Sequence, residues 1–416
     1  MTNFYRVGTA NMFDATLTNL NARQTNLTDL QEKLTAGKRV VRPSDDPVAA
    51  AQAERSLTRI SRIQTEQRAL EIQRNAISQA ESTLGDAVGI MQDIRQLTVA
   101  AGSGTIKSED RVTYVKQIAS LREQLTEVAN RKDTNGIPLL GALGSQLTPF
   151  LGPQSGVPDY SFAGQPGQGA STGTALTSTL DGQSAFMFDV KRDGVYTATI
   201  SDVPNGRTFT TDAVKVTDPS QLTGNDYQIN FTAVGAGATS GTTSATYTIT
   251  NLTTNTTSAP VTVPDYPSDK PATIAVSGVP GMSVTINGTP AAGDTVTLKP
   301  SASIFSSIDS AVRNIGGAIN NNSSTQAVGQ ALAAIDKGLD QLHNLRGYAG
   351  ELLNRADRIT GDQQNRSIQL EADRSRAEDL DMIQGISDFQ NSQIGYEAAL
   401  KSYAQVQKLS LFNFIS

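Results

Sequence analysis

Apolar residues recur near both ends of this chain at the spacing of narrow helical seams. Phe13, Leu20, Leu27 and Leu34 fall at seven-residue intervals, with Leu17 and Leu30 on the flanks. Met382, Ile386, Phe389, Tyr396, Leu400 and Tyr403 follow the four-and-three spacing of a coiled-coil seam. Inside these lies a longer pattern: Ile63, Leu70, Ile77, Leu84 and Met91 keep a seven-residue period with no proline to interrupt it. Gly102-Ser103-Gly104 should end that helix, and Tyr114 to Arg131, with Ile118, Leu121, Leu125 and Val128 on one face, reads as an antiparallel return. Leu342, Leu345, Ala349, Leu352, Ala356 and Ile359 repeat the pattern, so four helices are available for a bundle.

The turns between these segments are written in residue type. Gly37 stops the first helix, with Lys38 and Arg39 suited to the negative end of its dipole. Pro43, Ser44, Asp45, Asp46 and Pro47 follow. Pro47 fits a first helical turn, where a missing N–H costs nothing, and Asp46 can cap the free amides.

The alphabet changes in the middle of the chain. No Glu occurs between Glu127 and Glu351, while Thr, Ser, Gly and Asn take over. Glu favours helix, whereas Thr and Val favour strands. Phe186, Phe188 and Val190 alternate into Asp193-Gly194, and Val195 to Ile200 leads back out, which predicts a hairpin. Asn205-Gly206 predicts a further tight turn. Asn287-Gly288 predicts another, between Val284-Thr285-Ile286 and Val296-Thr297-Leu298. A Gly-, Pro- and Ser-rich stretch from Leu139 to Thr179 serves as connector. The expected fold class is α+β: a long-helix bundle and coiled coil formed by both chain ends, with an inserted antiparallel β-domain. The expected segments are a coiled-coil helix at 1–40, the two halves of the bundle at 41–140 and 301–375, the insert at 141–300, and a second coiled-coil helix at 376–416.

Composition narrows the function. A net charge of −6 argues against a general nucleic-acid binder, which needs a basic patch. The absence of cysteine excludes disulfides, thiolate zinc sites and cysteine nucleophiles. No apolar run approaches the ~18–20 residues that span a bilayer. Met1 to Asn11 lacks the apolar core and cleavage site of a secretory signal, so an exported chain would need another route.

Asp45 and Asp46 lack the companion ligands of a metal or acid–base site, and at a Pro-started helix they read as caps. His343, the single histidine, has no Cys or Ser motif beside it and reads as a surface or packing residue. The glycines at Gly235, Gly237, Gly316 and Gly317 follow no phosphate-binding spacing. No catalytic residue, cofactor site or metal site is therefore expected. The terminal seams read as self-assembly surfaces that fray in the monomer and become helical when neighbouring subunits complete their burial.

Gly37-Lys38-Arg39-Val40 and Pro43-Ser44-Asp45-Asp46-Pro47-Val48-Ala49-Ala50 resemble the N-terminal signature of the bacterial flagellin family, in the form found at the hook–filament junction. Tyr160-Ser161-Phe162-Ala163-Gly164, Gly288-Thr289-Pro290-Ala291-Ala292-Gly293-Asp294, the run from Arg346 to Arg355 and the tail from Leu409 to Phe414 are similar to the same family. One departure is a Pro/Gly-rich stretch between Asn135-Gly136 and the Tyr-x-Phe-x-Gly motif. The resemblance implies a non-catalytic subunit with no cofactor, exported unfolded by the flagellar type III machine and outside the cell. It also implies a homo-oligomeric ring between hook-associated protein 1 and flagellin, an export chaperone as transient partner, and neither nucleic acid nor membrane insertion. Two other roles fit less closely: a flagellin that builds the filament itself, and an adhesin or glycan-degrading enzyme on the β-insert, which would need convergent acids within 180–300.

Overall fold

The computed structural model describes residues 9–104, 106–143, 147–155 and 159–415, with side chains left out at 9–13, 406 and 408–415. The chain divides into two compact units: a terminal unit, Met1–Arg68 with Ile359–Ser416, and a central unit, Ala69–Arg358.

Four helices build the terminal unit. Helix α1 (Thr9–Ala36) packs along α8 (Met382–Ile415). Leu34 lies against Gly385 and Arg23 against Gly395, so the two helices run antiparallel. The first part of α2 (Pro47–Ala101) packs on the last part of α7 (Asn321–Glu378). Their shared core is thin: Ile60, Ile63 and Leu370 form one cluster, and Val40, Ala49, Ala53 and Ala377 another. Small side chains at heptad positions leave little apolar area to remove from water.

In the central unit α2 and α7 run antiparallel, joined by Arg95–Asp336 and Arg346–Glu81, each at 2.7 Å, and Arg74–Asp357 at 3.3 Å. Leu70, Ile77, Leu84 and Met91 of α2 are buried, as are Leu342, Leu345, Ala349, Leu352 and Ala356 of α7. Helix α3 (Ser108–Ala129) returns along α2, and just past its end Arg131 pairs with Asp86 at 2.7 Å.

The fourth member of this bundle is α6 (Ile304–Gly316), which packs on α3. The heptad reading did not pick it out as a separate helix. Helix α6 starts where the Ser303 hydroxyl accepts from the Ser306 N–H at 3.0 Å, and it buries Ile304, Phe305, Ile308, Ala311 and Ile315.

The inserted strands form an antiparallel sandwich. They are β3 (Tyr196–Ile200), β4 (Phe209–Thr211), β5 (Lys215–Val216), β6 (Tyr227–Ala236), β7 (Thr242–Asn251), β8 (Thr256–Thr257), β9 (Val261–Thr262), β10 (Tyr266–Pro267), β11 (Ala272–Val276), β12 (Met282–Gly288) and β13 (Thr295–Pro300), after a small pair β1 (Phe150–Leu151) and β2 (Ser161–Phe162). One sheet runs β10-β7-β6-β13-β3, with β8 and β9 also on β7; the other runs β11-β12-β4, with β5 on β12. Alternate residues point inward, so Ile229, Phe231, Tyr247 and Leu298 of one sheet share a core with Phe209, Ile274, Val284 and Ile286 of the other.

Two predicted hairpins are not formed. Residues 182–193 hold two short helices, α4 (Gly182–Phe186) and α5 (Val190–Asp193), joined by 187–189, rather than a strand. The Asp189 carboxylate accepts from the Lys191 and Arg192 N–H groups at 2.9 and 3.0 Å, which starts α5. Gly194, at φ +60°, ends α5 in the left-handed region, where a side chain would also strike Val216. Aspartate followed by glycine thus closes a helical turn here.

Asn287-Gly288 also makes no hairpin. Both residues belong to β12, paired with Thr210 and Phe209 of β4, and β13 lies in the other sheet. Gly288 is required there because a Cβ would sit 2.1 Å from the Thr208 carbonyl oxygen.

The connector is packed rather than loose. Phe150, Tyr160, Phe186 and Phe305 form a buried aromatic cluster, with Phe186 stacked on Phe305 at 5.5 Å. The Tyr160 hydroxyl donates to Asp309 at 2.8 Å, and Arg122 holds the same carboxylate at 2.9 Å. Burial, then the Asp309 bond, raise the Tyr160 pKa well above its usual value, so this phenol stays protonated.

Candidate functional site: helix faces and a signature loop

Residues of the two apolar seams lie on facing helices of the terminal unit. Leu20, Leu27 and Leu34 on α1 are half-buried, as are Phe389, Tyr396 and Tyr403 on α8. Met382, Ile386 and Leu400 are exposed by 47, 46 and 40%. The side chain of Phe13 lies outside the described residues, as do those of the tail from Leu409 to Phe414. Two isoleucines off the seam are more open still: Ile383 at 85% and Ile394 at 66%. A seven-residue period selects the stripe that faces a partner, so it passes over these two. A plain count of apolar residues per turn of α8 would have found them.

The signature residues shape the turn from α1 into α2. The Asp45 carboxylate accepts from the Val41 and Arg42 N–H groups at 3.1 and 3.0 Å, closing the turn that exposes Pro43 and Ser44. Asp46 accepts from Val48 and Ala49 at 3.2 and 3.0 Å, and Pro47 is the first residue of α2. Hydrogen bonds to the ionised form hold both carboxyls below their ordinary range. For Asp45 the Arg42 amide leads; for Asp46 the Ala49 amide leads, followed by the Arg39 guanidinium. The division of labour is clear: Asp45 closes the turn and Asp46 caps the helix.

The same loop reaches the end of α7. Lys38 pairs with Glu378, and the Arg39 N–H donates to the Glu378 carbonyl at 2.8 Å. The Arg39 guanidinium donates to the Ala377 carbonyl at 2.9 Å, and the Leu380 N–H donates to the Gly37 carbonyl at 3.0 Å. Nothing in local sequence signals this arrangement, because its partners lie some 340 positions apart.

Elsewhere polar groups are engaged in structure. Asp294 is gripped by Arg207 and accepts from the Ala291 N–H at 2.7 Å, which fixes the Gly-Thr-Pro turn. His343 is exposed on α7. Among the described residues no group of three or more histidines and carboxylates is placed to hold a metal, and no helix is long and apolar enough to cross a membrane. An open hollow between the 204–210 loop and the start of α7 is lined by Asn205, Arg207, Thr208 and Asn321, among others, without a carboxylate or histidine.

Two family models match the chain. The bacterial flagellin N-terminal helical region matches residues 7–143 and the C-terminal helical region matches 332–415. Flagellar hook-associated protein 3 of Salmonella typhimurium is 30% identical over 149 residues, covering 35% of this chain and 46% of that protein. A flagellin of Listeria monocytogenes is 30% identical over 114 residues, covering 27% of this chain and 40% of that protein. The chain thus spans about half the length of the curated relatives it matches.

Two solved structures share the fold. The flagellar junction protein FlgL of Legionella pneumophila superposes with a TM-score of 0.58 at 23% identity, covering 74% of this chain and 99% of that one. FlgL of Xanthomonas campestris gives 0.55 at 19% identity, covering 77% and 98%.

Proposed function

The chain belongs to the bacterial flagellin family, and from that premise we propose that it is a structural subunit of the flagellum at the junction between hook and filament. Its work is mechanical. Helices α1 and α8 bond each subunit to its neighbours, and the central bundle makes lateral contacts. The β-sandwich faces outward.

The observation that carries this reading is the open apolar surface of α8, where Ile383, Ile386 and Ile394 all stand in water. Three exposed isoleucines along one helix, added to the half-buried seam beside them, suit an interface with neighbouring copies better than a solvated face. Neighbouring copies of α1 and α8 are its natural cover. The seam residues Phe13, Leu20, Leu27, Leu34, Met382, Ile386, Phe389, Tyr396, Leu400 and Tyr403 belong to that interface. The subunit forms a ring between hook-associated protein 1 and flagellin, after unfolded export by the type III machine and chaperone cover of the same helices.

A second reading, a filament-building flagellin, is favoured by the Listeria flagellin match, although the hook-associated relative matches a longer stretch. Deletion of the gene separates the two: hooks without filaments, with flagellin released to the medium, is the outcome expected of a junction subunit. Growth of long filaments from the purified protein alone would reverse the assignment. Weak amide protection across residues 14–34 in the monomer, rising on assembly, is expected if neighbours complete the seams.

A further inference from the structure

The end of α7 is capped by a distant part of the chain. A helix leaves its last carbonyls without partners, and cations are favoured near them. Here Ala377 and Glu378 present such carbonyls, and residues 38–40 supply the donors. The Arg39 guanidinium serves Ala377, and the Arg39 N–H serves Glu378 at 2.8 Å. The Val40 N–H lies 3.4 Å from the same Glu378 oxygen. The Lys38 ammonium adds its charge on the Glu378 carboxylate, which is 13% exposed.

The exchange runs both ways. The Leu380 N–H returns a bond to the Gly37 carbonyl, and Lys38 and Asp379 pair as a one-residue β-bridge. Directly beyond, Asp381 caps α8 by accepting from the Ile383 and Gln384 N–H groups at 3.0 and 3.2 Å. Gly385, in the next turn, touches Leu34 near the end of α1. The exit of α1 and the entry of α8 are therefore set by one group of bonds.

We propose that residues 37–40 and 377–380 form a cross-chain helix cap that makes α1 and α8 order as a single body, so that a partner gripping either helix fixes both. The coupling itself is a property of the isolated chain; only its use in assembly rests on the junction reading. A chaperone or neighbouring subunit that holds α8 alone would thereby deliver α1 already placed. An ordinary helix pair held only by its seam would instead fray from each far end independently.

Glu378→Gln, Lys38→Glu and the swapped pair Lys38→Glu/Glu378→Lys test this by amide exchange on the full chain. The measurement is made on monomer in molar trimethylamine N-oxide, which favours compact states and keeps both helices populated. The reporting amides are remote from the cap: Leu20 and Leu27 on α1, Ile394 and Tyr396 on α8. Amides near Ile60 and Leu370 serve as the folding control.

Glu378→Gln and Lys38→Glu should each speed exchange at all four reporters by a common factor of up to about fivefold. The swap should bring them back to within about twofold of the parent, with the control amides unchanged throughout. A change confined to one helix, or to residues 37–40 and 379–383, would overturn the proposal. So would unchanged reporters in both single variants. Glu378→Gln also loses the longer contact to Arg374 at 4.0 Å, whereas Lys38→Glu keeps that partner in place, so a change common to both belongs to the Lys38 pair. The gene-deletion phenotype, read separately, bears on the flagellar role and leaves this coupling standing or falling by itself.

Discussion

Helix α7 is fastened at each end by different chemistry. At its start, in the central unit, neutral carboxamides plug the open edges of two strands. Gln326 accepts from the Thr211 N–H at 2.7 Å and donates to the Ala198 carbonyl at 3.0 Å, while Gln330 accepts from the Ala198 N–H at 3.1 Å. Asn322 makes the same two-way exchange with Phe209, at 2.9 Å each way. At its finish, in the terminal unit, the fastening is the Lys38–Glu378 pair, half-exposed on its lysine side, and three backbone carbonyls.

A buried amide bond is held by the cost of leaving its partner unpaired, and neither salt nor pH changes that cost. A surface ion pair contributes little and is screened. The first joint fixes an angle once. The second, being charged and partly exposed, is the more easily released.

The comparison breaks most directly at Gln326. Gln326→Leu strands the Thr211 N–H and the Ala198 carbonyl, and should cost about 2–4 kcal/mol in chemical denaturation. That loss should be the same in 0.05 and 0.5 M salt; a cost under about 1 kcal/mol would mean the strand edges find other partners.

Acid should act on the signature turn that adjoins the other joint through Arg39. The folded pKa values of Asp45 and Asp46 lie below the unfolded value of 3.8, so their contribution is full at neutral pH and fades as pH falls through the depressed values. Amide exchange at Val41, Arg42, Val48 and Ala49, corrected for intrinsic rate, should accelerate below about pH 4, while Ala198 and Thr211 stay protected. The smallest effect belongs to salt: raising it from 0.05 to 0.5 M should speed exchange at Leu380 by less than about threefold, with no change at Thr211.

How much of this was legible beforehand depends on the range of the bond. Heptads mark α2 and α7 because every layer repeats one local rule, and Ile63, Leu70, Ile77, Leu84 and Met91 are all buried. Asp193-Gly194 misled because the dipeptide suits both a hairpin and a helix end. The capping carboxylate of Asp189 decided between them. Helix α6 passed unnoticed since its short apolar face borders a Thr-rich segment.

The carboxamides of Asn322, Gln326 and Gln330 look like ordinary surface residues of a helix until strands more than a hundred positions away are placed against them. For the apolar stripes, periodicity shows which way side chains face. It says nothing of how completely they are covered, and Ile383 and Ile394 are the residues where that gap is widest.

The aromatic cluster has a practical corollary for anyone who wishes to transplant the β-sandwich. Phe150 and Tyr160 precede the sandwich in sequence but are lodged against Phe305 of the bundle. Met187 and Ser303 then come together as a β-bridge, and Phe188 donates to Ala302 at 3.0 Å. That narrow doorway is where the module can be cut away. A chimera spliced at 187 and 303 would carry its cargo on an intact chassis, whereas one spliced at 141 and 300 would pull the bundle's own rings out with the graft.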